Sequence, residues 1–137
     1  MGIVIDTNFF INVENNRAKM QELDSYTSYG EVYISAITAA ELLLGVHLAS
    51  DMAIRINRHA FVDNILRSIP SLAFDAKVAR TYAEIYAYFF KPRCKATANV
   101  HDLQIAATAL TYDFPILTNN IKDFKPIPGI KILALSE

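Results

Sequence analysis

The sequence is poor in cysteine, in long apolar runs and in net charge. Its single cysteine, Cys94, excludes a disulfide within the chain and favours a reducing compartment, so we expect a cytoplasmic location. No apolar run reaches the roughly 18 residues of a membrane span, and the first apolar run is too short and lacks the basic residues of a signal peptide. The formal net charge is −1, so no overall basic field indicates nucleic-acid binding.

The length and composition predict one globular domain covering residues 1–137, because 53% of the residues are apolar and 20% are charged. Short apolar runs alternate with helical patterns, which favours an α/β domain with a parallel sheet. The predicted strands are 2–5, 31–35, 71–73, 115–117 and 131–134. The predicted helices are 36–49, 51–68, 75–90 and 99–112, with a polar, mostly helical stretch at 16–29.

Four acids follow these apolar runs. Asp6 comes directly after the first strand, Glu41 lies in the helix after the second, Asp102 begins the last long helix, and Asp123 follows the fourth strand. Ligand sites in parallel sheets lie beyond the carboxyl ends of the strands. We therefore expect these carboxylates to converge at one edge of the sheet.

Each acid also has a simpler interpretation as part of a helix end. Thr38 and Glu41 form a T-x-x-E capping box, and Asn99 and Asp102 have the same offset. Asp6 would cap the helix that follows it, and the fourth acid would be a solvated turn residue. If all four acids only cap helices or lie solvated at the surface, the chain is a structural or interaction protein.

A cluster of carboxylates has a chemical consequence. Two ionised carboxylates about 4 Å apart repel by about 4 kcal/mol at an effective dielectric near 20, so a cluster needs protonation, a basic partner or a cation. Oxygen-only ligands select Mg²⁺ or Mn²⁺ over zinc. Such ions bind phosphates and lower the pKa of bound water. The set of acids thus favours a metal-dependent phosphoryl-transfer or phosphodiester-cleaving site.

Four motifs resemble those of a known family in order and spacing. They are "VIDTNFF", "ISAITAAELLLG", "HDLQIAATAL" and "ILTNNIKDF", and they extend from Ile3 to about Phe124. The set resembles the PIN-domain ribonucleases, most of all the VapC-type toxins of type II toxin–antitoxin pairs. The resemblance implies a single PIN-like domain, with a central parallel sheet of four or five strands flanked by helices, and an Mg²⁺- or Mn²⁺-dependent endoribonuclease.

By motif position, the resemblance assigns roles to individual residues. Asp6, Glu41 and Asp102 match the acidic metal-binding triad of the family. Thr118 matches the hydroxyl after the fourth strand, and Asn8 matches the amide after the first acid.

The fourth acid of the site has two candidates. Many relatives have an acid two residues after the threonine, where this chain has Asn120, while Asp123 fits the toxin-like ending "DF". Either residue would complete the site. The resemblance further implies an RNA substrate, a small antitoxin protein and a homodimer.

The RNA-binding surface has a weaker sequence signal. With the four acids set aside, the 13 basic residues outnumber the remaining acidic ones. Lys91, Arg93 and Lys95 lie in the loop before the helix of Asp102, where they would reach a substrate backbone. A solvated loop without function is the alternative.

Two other functions compete with the nuclease. One is a non-catalytic PIN-like module that binds RNA or protein, although all three triad positions are acidic here. The other is an aspartate-based phosphotransfer enzyme, which also has an acid after its first strand; phosphatases of the haloacid dehalogenase type would want a second aspartate where Asn8 stands.

Two further residues invite interpretation. We expect His101, beside Asp102, to be exposed rather than a general base. Gly45 inside a helix would be justified by close packing against another element or another subunit.

Overall fold

The sheet of this protein has five parallel strands. The computed structural model describes residues 1–90 and 99–135. In these residues the strand order is β3-β2-β1-β4-β5. The strands are β1 (Gly2–Ile5), β2 (Glu31–Ser35), β3 (Ser71–Leu72), β4 (Ile116–Thr118) and β5 (Ile132–Ala134). The predicted α/β fold with a parallel sheet is confirmed.

Helices cover both faces of this sheet. They are α1 (Thr7–Glu14), α2 (Ala36–Leu48), α3 (Met52–Ser68), α4 (Ala76–Phe90), α5 (Val100–Thr111) and α6 (Ile121–Phe124), with a 3₁₀ helix at Met20–Tyr29. None of the helices in the described ranges is long and apolar enough to cross a membrane.

The central strand β1 divides the core into two halves. All four of its residues are buried, as expected of a strand covered on both faces. Ile3 and Ile5 pack in one apolar cluster with Phe9 and Phe10 of α1, whereas Val4 packs in the other. This alternation follows from the two-residue period of side chains along a strand.

The strand order reverses beside β1, and this fixes where a site can form. The chain runs outward from β1 through β2 to β3, then returns to place β4 on the other side of β1. The carboxyl ends of β1, β2 and β4 therefore share one edge at a topological switch point, where α/β proteins bind their ligands.

Short elements are where the structure differs from the predicted pattern. The stretch predicted as mostly helical at 16–29 becomes a 3₁₀ helix only from Met20, because α1 ends near Asn15 and Asn16 takes a left-handed conformation with φ of 60°. The list of predicted helices gives no bounds for α1, which the capping interpretation of Asp6 assumed, and omits α6; they have only 8 and 4 residues.

Candidate active site

Asp6 is the most buried carboxylate at the switch point, with 2% of its surface exposed. It directly follows β1, and the hydroxyl of buried Thr118, at the end of β4, donates a hydrogen bond of 2.9 Å to its Oδ2 atom. Asp6 occupies the N-cap position of α1, but its side chain makes no capping hydrogen bond. The carboxylate of Asp6 pairs with the neighbouring strand instead.

Burial determines the electrostatics of Asp6. It raises the pKa of this carboxyl above its ordinary value, while the hydrogen bond from Thr118 opposes the rise and the nearby carboxylate of Glu41 adds to it. The charged form of Asp6 thus lies in a place that water solvates poorly, which is where a cation is most stabilising.

Glu41 reaches the same edge from the second turn of α2. Its Oε1 accepts a hydrogen bond of 2.8 Å from the Thr7 hydroxyl, and its Oε2 lies 3.1 Å from Nδ1 of His101. The predicted capping box of Thr38 and Glu41 is wrong. Since β2 runs straight into α2, the N-cap is Ser35, whose side chain accepts a 3.0 Å hydrogen bond from the backbone N–H of Thr38.

Asp102 lies half-buried in the first turn of α5. Asn99 caps this helix through a 2.7 Å hydrogen bond from the backbone N–H of His101, as its position in the sequence predicts. Burial, together with the carboxylates of Asp6, Asp123 and Glu41, raises the pKa of Asp102 to about 6, while His101 opposes the rise.

The charges that act on Asp102 show that the four acids share one electrostatic neighbourhood. Asp123 lies on α6 and is exposed, so its contribution is a surface charge at the rim. Asn120 precedes α6, and its backbone N–H donates a 2.9 Å hydrogen bond to the Thr118 hydroxyl. Asn8 lies half-buried in the first turn of α1. The ligand roles of these residues stay predictions.

The donor set can be compared with what a metal ion needs. Within residues 1–90 and 99–135, no three Asp, Glu, His or Cys side chains lie close enough together to hold a metal in their present positions. The acids nevertheless offer only oxygen atoms, and their mutual repulsion helps to raise the pKa of Asp102. A divalent cation that prefers oxygen ligands fits this chemistry, provided that the side chains draw closer around it.

The sequence patterns did not indicate the contacts of three residues at this edge. The imidazole of His101 is 53% exposed, as predicted, but it pairs with Glu41. Thr7 and Thr38 are buried and hydrogen-bonded to each other at 2.8 Å. Since His101 is 60 positions from Glu41 and Thr7 is 34, no local pattern indicates these contacts.

A cleft of about 340 Å³ opens beside Glu41. Its walls include Ile11 and Leu44, and Gly45 lies among its lining residues. Among the described residues, a Cβ atom at Gly45 would meet only Cδ of Arg58, at an ordinary 3.8 Å. The expected close packing of Gly45 against another element of the chain is therefore wrong.

Part of the predicted RNA-binding surface is not described. Lys91, Arg93 and Lys95 lie outside the described residues, as does Cys94. The contact of the three basic residues with substrate stays a prediction.

The chain matches a known family over nearly its whole length. The PIN domain family model matches residues 3–129. Ribonuclease VapC1 of Rickettsia felis is 37% identical over 136 residues, which cover 99% of this chain and 98% of that protein. Ribonuclease VapC of Rickettsia bellii is 36% identical over a match that covers 98% of this chain and 97% of that protein.

Solved structures give the same answer for the fold. VapBC2 from Rickettsia felis, bound to a DNA fragment from its promoter, superposes with a TM-score of 0.85 at 24% identity over 99% of this chain and 100% of that chain. VapBC-5 of Mycobacterium tuberculosis, a member of the VapBC family of toxin–antitoxin systems, superposes with a TM-score of 0.74 at 26% identity over 99% and 98%. The chain belongs to the PIN-domain family and, within it, to the VapC ribonucleases.

Proposed function

We propose that this chain is a metal-dependent endoribonuclease, the toxin of a toxin–antitoxin pair, which hydrolyses phosphodiester bonds of RNA. The observation that carries the proposal is the gathering of four carboxylates at the switch point, where burial and mutual repulsion raise the pKa of Asp102 to about 6. A protein gains nothing in stability from such mutual repulsion. A site for a divalent cation and a phosphate explains it.

In this proposal Asp6 and Asp102 hold the main Mg²⁺ or Mn²⁺ ion, Glu41 orients a bound water or a second ion, and either Asp123 or Asn120 completes the site. A bound divalent ion supplies a Lewis acid that offsets phosphate charge and makes a water molecule a stronger nucleophile. The chain's own contribution is positioning: Thr118 fixes one oxygen of Asp6 at 2.9 Å, so the buried carboxylate cannot rotate freely.

Glu41 has a different task, because it is only half-buried and both of its oxygens have partners. We assign to it the orientation of the attacking water. The water oxygen forms a bond to phosphorus and the water releases a proton, the bond from phosphorus to the 3′ oxygen breaks and that oxygen takes up a proton, and the products carry 5′-phosphate and 3′-hydroxyl ends.

The proposed partners are RNA, a small cognate antitoxin and a second copy of the chain. Two solved neighbours are described as VapBC assemblies, and one of them as a member of a toxin–antitoxin family. The cleft beside Glu41 is lined by apolar side chains, including Ile11, Leu44 and Leu48, and we propose it as the place where an antitoxin segment binds. Such a segment would block access to the acids.

The competing functions fit the structure less well. An aspartyl-phosphate enzyme needs an accessible nucleophile, whereas Asp6 is 2% exposed and one of its oxygens is hydrogen-bonded to Thr118. A chain whose acids serve only as caps does not account for Asp6 or Glu41, since the first accepts a hydrogen bond from Thr118 on β4 and the second from Thr7 on α1.

The test is metal-dependent cleavage of total RNA with mapping of the product ends. Asp6→Asn and Asp102→Asn should each abolish cleavage, and a chelator should abolish that of the wild type. Asp24→Asn is the matched control, because Asp24 is exposed and lines a cleft with Gly30 and Glu31 at the opposite edge of the sheet. Cleavage that survives the chelator, or either site variant, would refute the proposal.

A further inference from the structure

A chain of three buried hydroxyl groups leads to the Glu41 carboxylate. The Ser35 hydroxyl lies 3.3 Å from that of Thr38, and the Thr38 hydroxyl lies 2.8 Å from that of Thr7. The Thr7 hydroxyl then lies 2.8 Å from Oε1 of Glu41. Ser35 and Thr38 are fully buried, and Thr7 is 5% exposed.

The acceptor at the end of this chain determines the direction of every proton in it. Each hydroxyl has one proton to donate, and an ionised carboxylate can only accept. The proton of Thr7 therefore goes to Glu41, so Thr38 must donate to Thr7, and Ser35 to Thr38. Ser35 in turn accepts a 3.0 Å hydrogen bond from the backbone N–H of Thr38, in the first turn of α2.

We propose that Thr7 is a positioning residue for Glu41, and that Ser35 and Thr38 hold the Thr7 proton in the direction that this task requires. A chain in which all protons run one way polarises its members cooperatively. It also begins at the positive end of a helix, which favours protons directed toward the carboxylate.

The position of Thr7 in the chain gives this contact a particular consequence. Thr7 directly follows Asp6, so one short backbone segment at the end of β1 presents a carboxylate and also holds the carboxylate of Glu41 on α2. The two acids are thereby fixed relative to each other. This inference rests on the proposed function, since it concerns an acid of the proposed site.

A buried threonine need not donate to a carboxylate, although Thr118 also does so, to Asp6. Thr108 of α5 donates to the carbonyl group of Gln104, one turn earlier in its own helix, at 3.0 Å. Thr7 instead donates its proton to a carboxylate of another helix. Thr108 thus offers a matched control, because its side chain is buried and its hydroxyl donates to a carbonyl of its own helix.

Three variants test the proposal kinetically: Thr7→Val removes the hydroxyl, Thr7→Ser retains it, and Thr108→Val is the control. Loss of a hydrogen bond to a charged group corresponds to a rate loss of about 10- to 100-fold. We expect Thr7→Val to lower kcat by that factor, with KM for RNA nearly unchanged. Thr7→Ser and Thr108→Val should keep kcat near that of the wild type.

A readout that does not depend on activity is the NMR signal of the Glu41 side-chain carboxyl carbon, assigned with Glu41→Gln. Thr7→Val should shift this signal in the metal-free protein, whereas Thr7→Ser and Thr108→Val should not. In a Glu41→Gln background, Thr7→Val should lower the affinity for Mn²⁺ little beyond the effect of Glu41→Gln itself, because the carboxylate that Thr7 positions is already absent.

The outcomes separate this inference from the proposed function. An unshifted Glu41 signal in Thr7→Val would overturn the role of Thr7, and so would losses of kcat or Mn²⁺ affinity that add fully to those of Glu41→Gln. A wild type without ribonuclease activity would instead refute the proposed function, and the carboxyl signal would still decide whether Thr7 holds Glu41.

Discussion

Replacing Asp102 with asparagine is expected to stabilise the metal-free protein at neutral pH, although it removes a proposed metal ligand. Burial and three neighbouring carboxylates raise the pKa of Asp102 from 3.8 to about 6. The folded protein therefore binds this proton more tightly than the unfolded chain does. The free energy of unfolding therefore declines as the pH rises between these two pKa values. The whole loss caused by the Asp102 carboxylate is present above about pH 6.

The size of the effect follows from that difference. A change from 3.8 to about 6 corresponds to about 3 kcal/mol if no solvent screens the charge. Because Asp102 is only half-buried, screening reduces this to about 1 kcal/mol. An asparagine at this position would carry no charge and would occupy nearly the same volume, so we expect Asp102→Asn to raise the free energy of unfolding at pH 7.5 by about that amount.

Urea denaturation with a chelator present, repeated at several pH values, measures this difference. The gain should shrink toward zero at about pH 4, where the wild-type carboxyl is mostly protonated in the folded state and half-protonated in the unfolded chain. Asp24→Asn should stay within about 0.5 kcal/mol of the wild type, as exposed substitutions usually do. A destabilised Asp102→Asn at pH 7.5, or a gain independent of pH, would show that the reasoning about repulsion is wrong. Saturating Mn²⁺ should reverse the order of stability, because only the wild type retains the full site.

Three other perturbations have expected outcomes. Thr118→Val should lower the free energy of unfolding by about 1–3 kcal/mol in urea, because it leaves the buried Asp6 carboxylate without its hydroxyl partner, and Thr118→Ser should restore most of the loss. Gly45→Ala should raise stability by about 0.5–1 kcal/mol in thermal denaturation, since in the described part of the chain the new methyl group meets Arg58 alone, at 3.8 Å. A loss of stability would mean that the helix is more crowded than this distance indicates. Replacing the basic residues of segment 91–95 with alanine, in a variant without activity, should weaken RNA binding and reduce its salt dependence. The slope of log affinity against log salt should become shallower by about 2 if all three residues contact phosphates, and an unchanged slope would exclude them as phosphate contacts.

The long elements of the fold follow from local patterns in the sequence. The predicted helices 36–49, 51–68 and 75–90 end within a residue of the observed α2, α3 and α4, because each has a sustained apolar pattern and a clear boundary residue. Asp51, for example, caps α3 through two backbone N–H groups. The helices α1 and α6 have too few residues for a periodic pattern to emerge, and packing at the ends of β1 and β4 determines them instead.

The location of the acids was predictable, whereas their hydrogen-bond partners were not. Each acid follows an apolar run, and a parallel sheet brings such positions to one edge. The cap of α2 was misjudged because Thr38 and Glu41 have the right spacing, but the helix is capped three residues earlier at Ser35. A spacing rule contains no information on where the preceding strand ends.

The sequence by itself determined the chemical groups of this protein and their order: an acid after each of the runs that form the centre of the sheet, and no disulfide within the chain. Only the tertiary structure decided which groups touch. The contacts of Thr7 and His101 with Glu41 join α1, α2 and α5, whose relative positions result from the packing of two apolar clusters around β1. Packing of this kind sums many weak contacts between residues far apart in the chain, so no local stretch of sequence contains it.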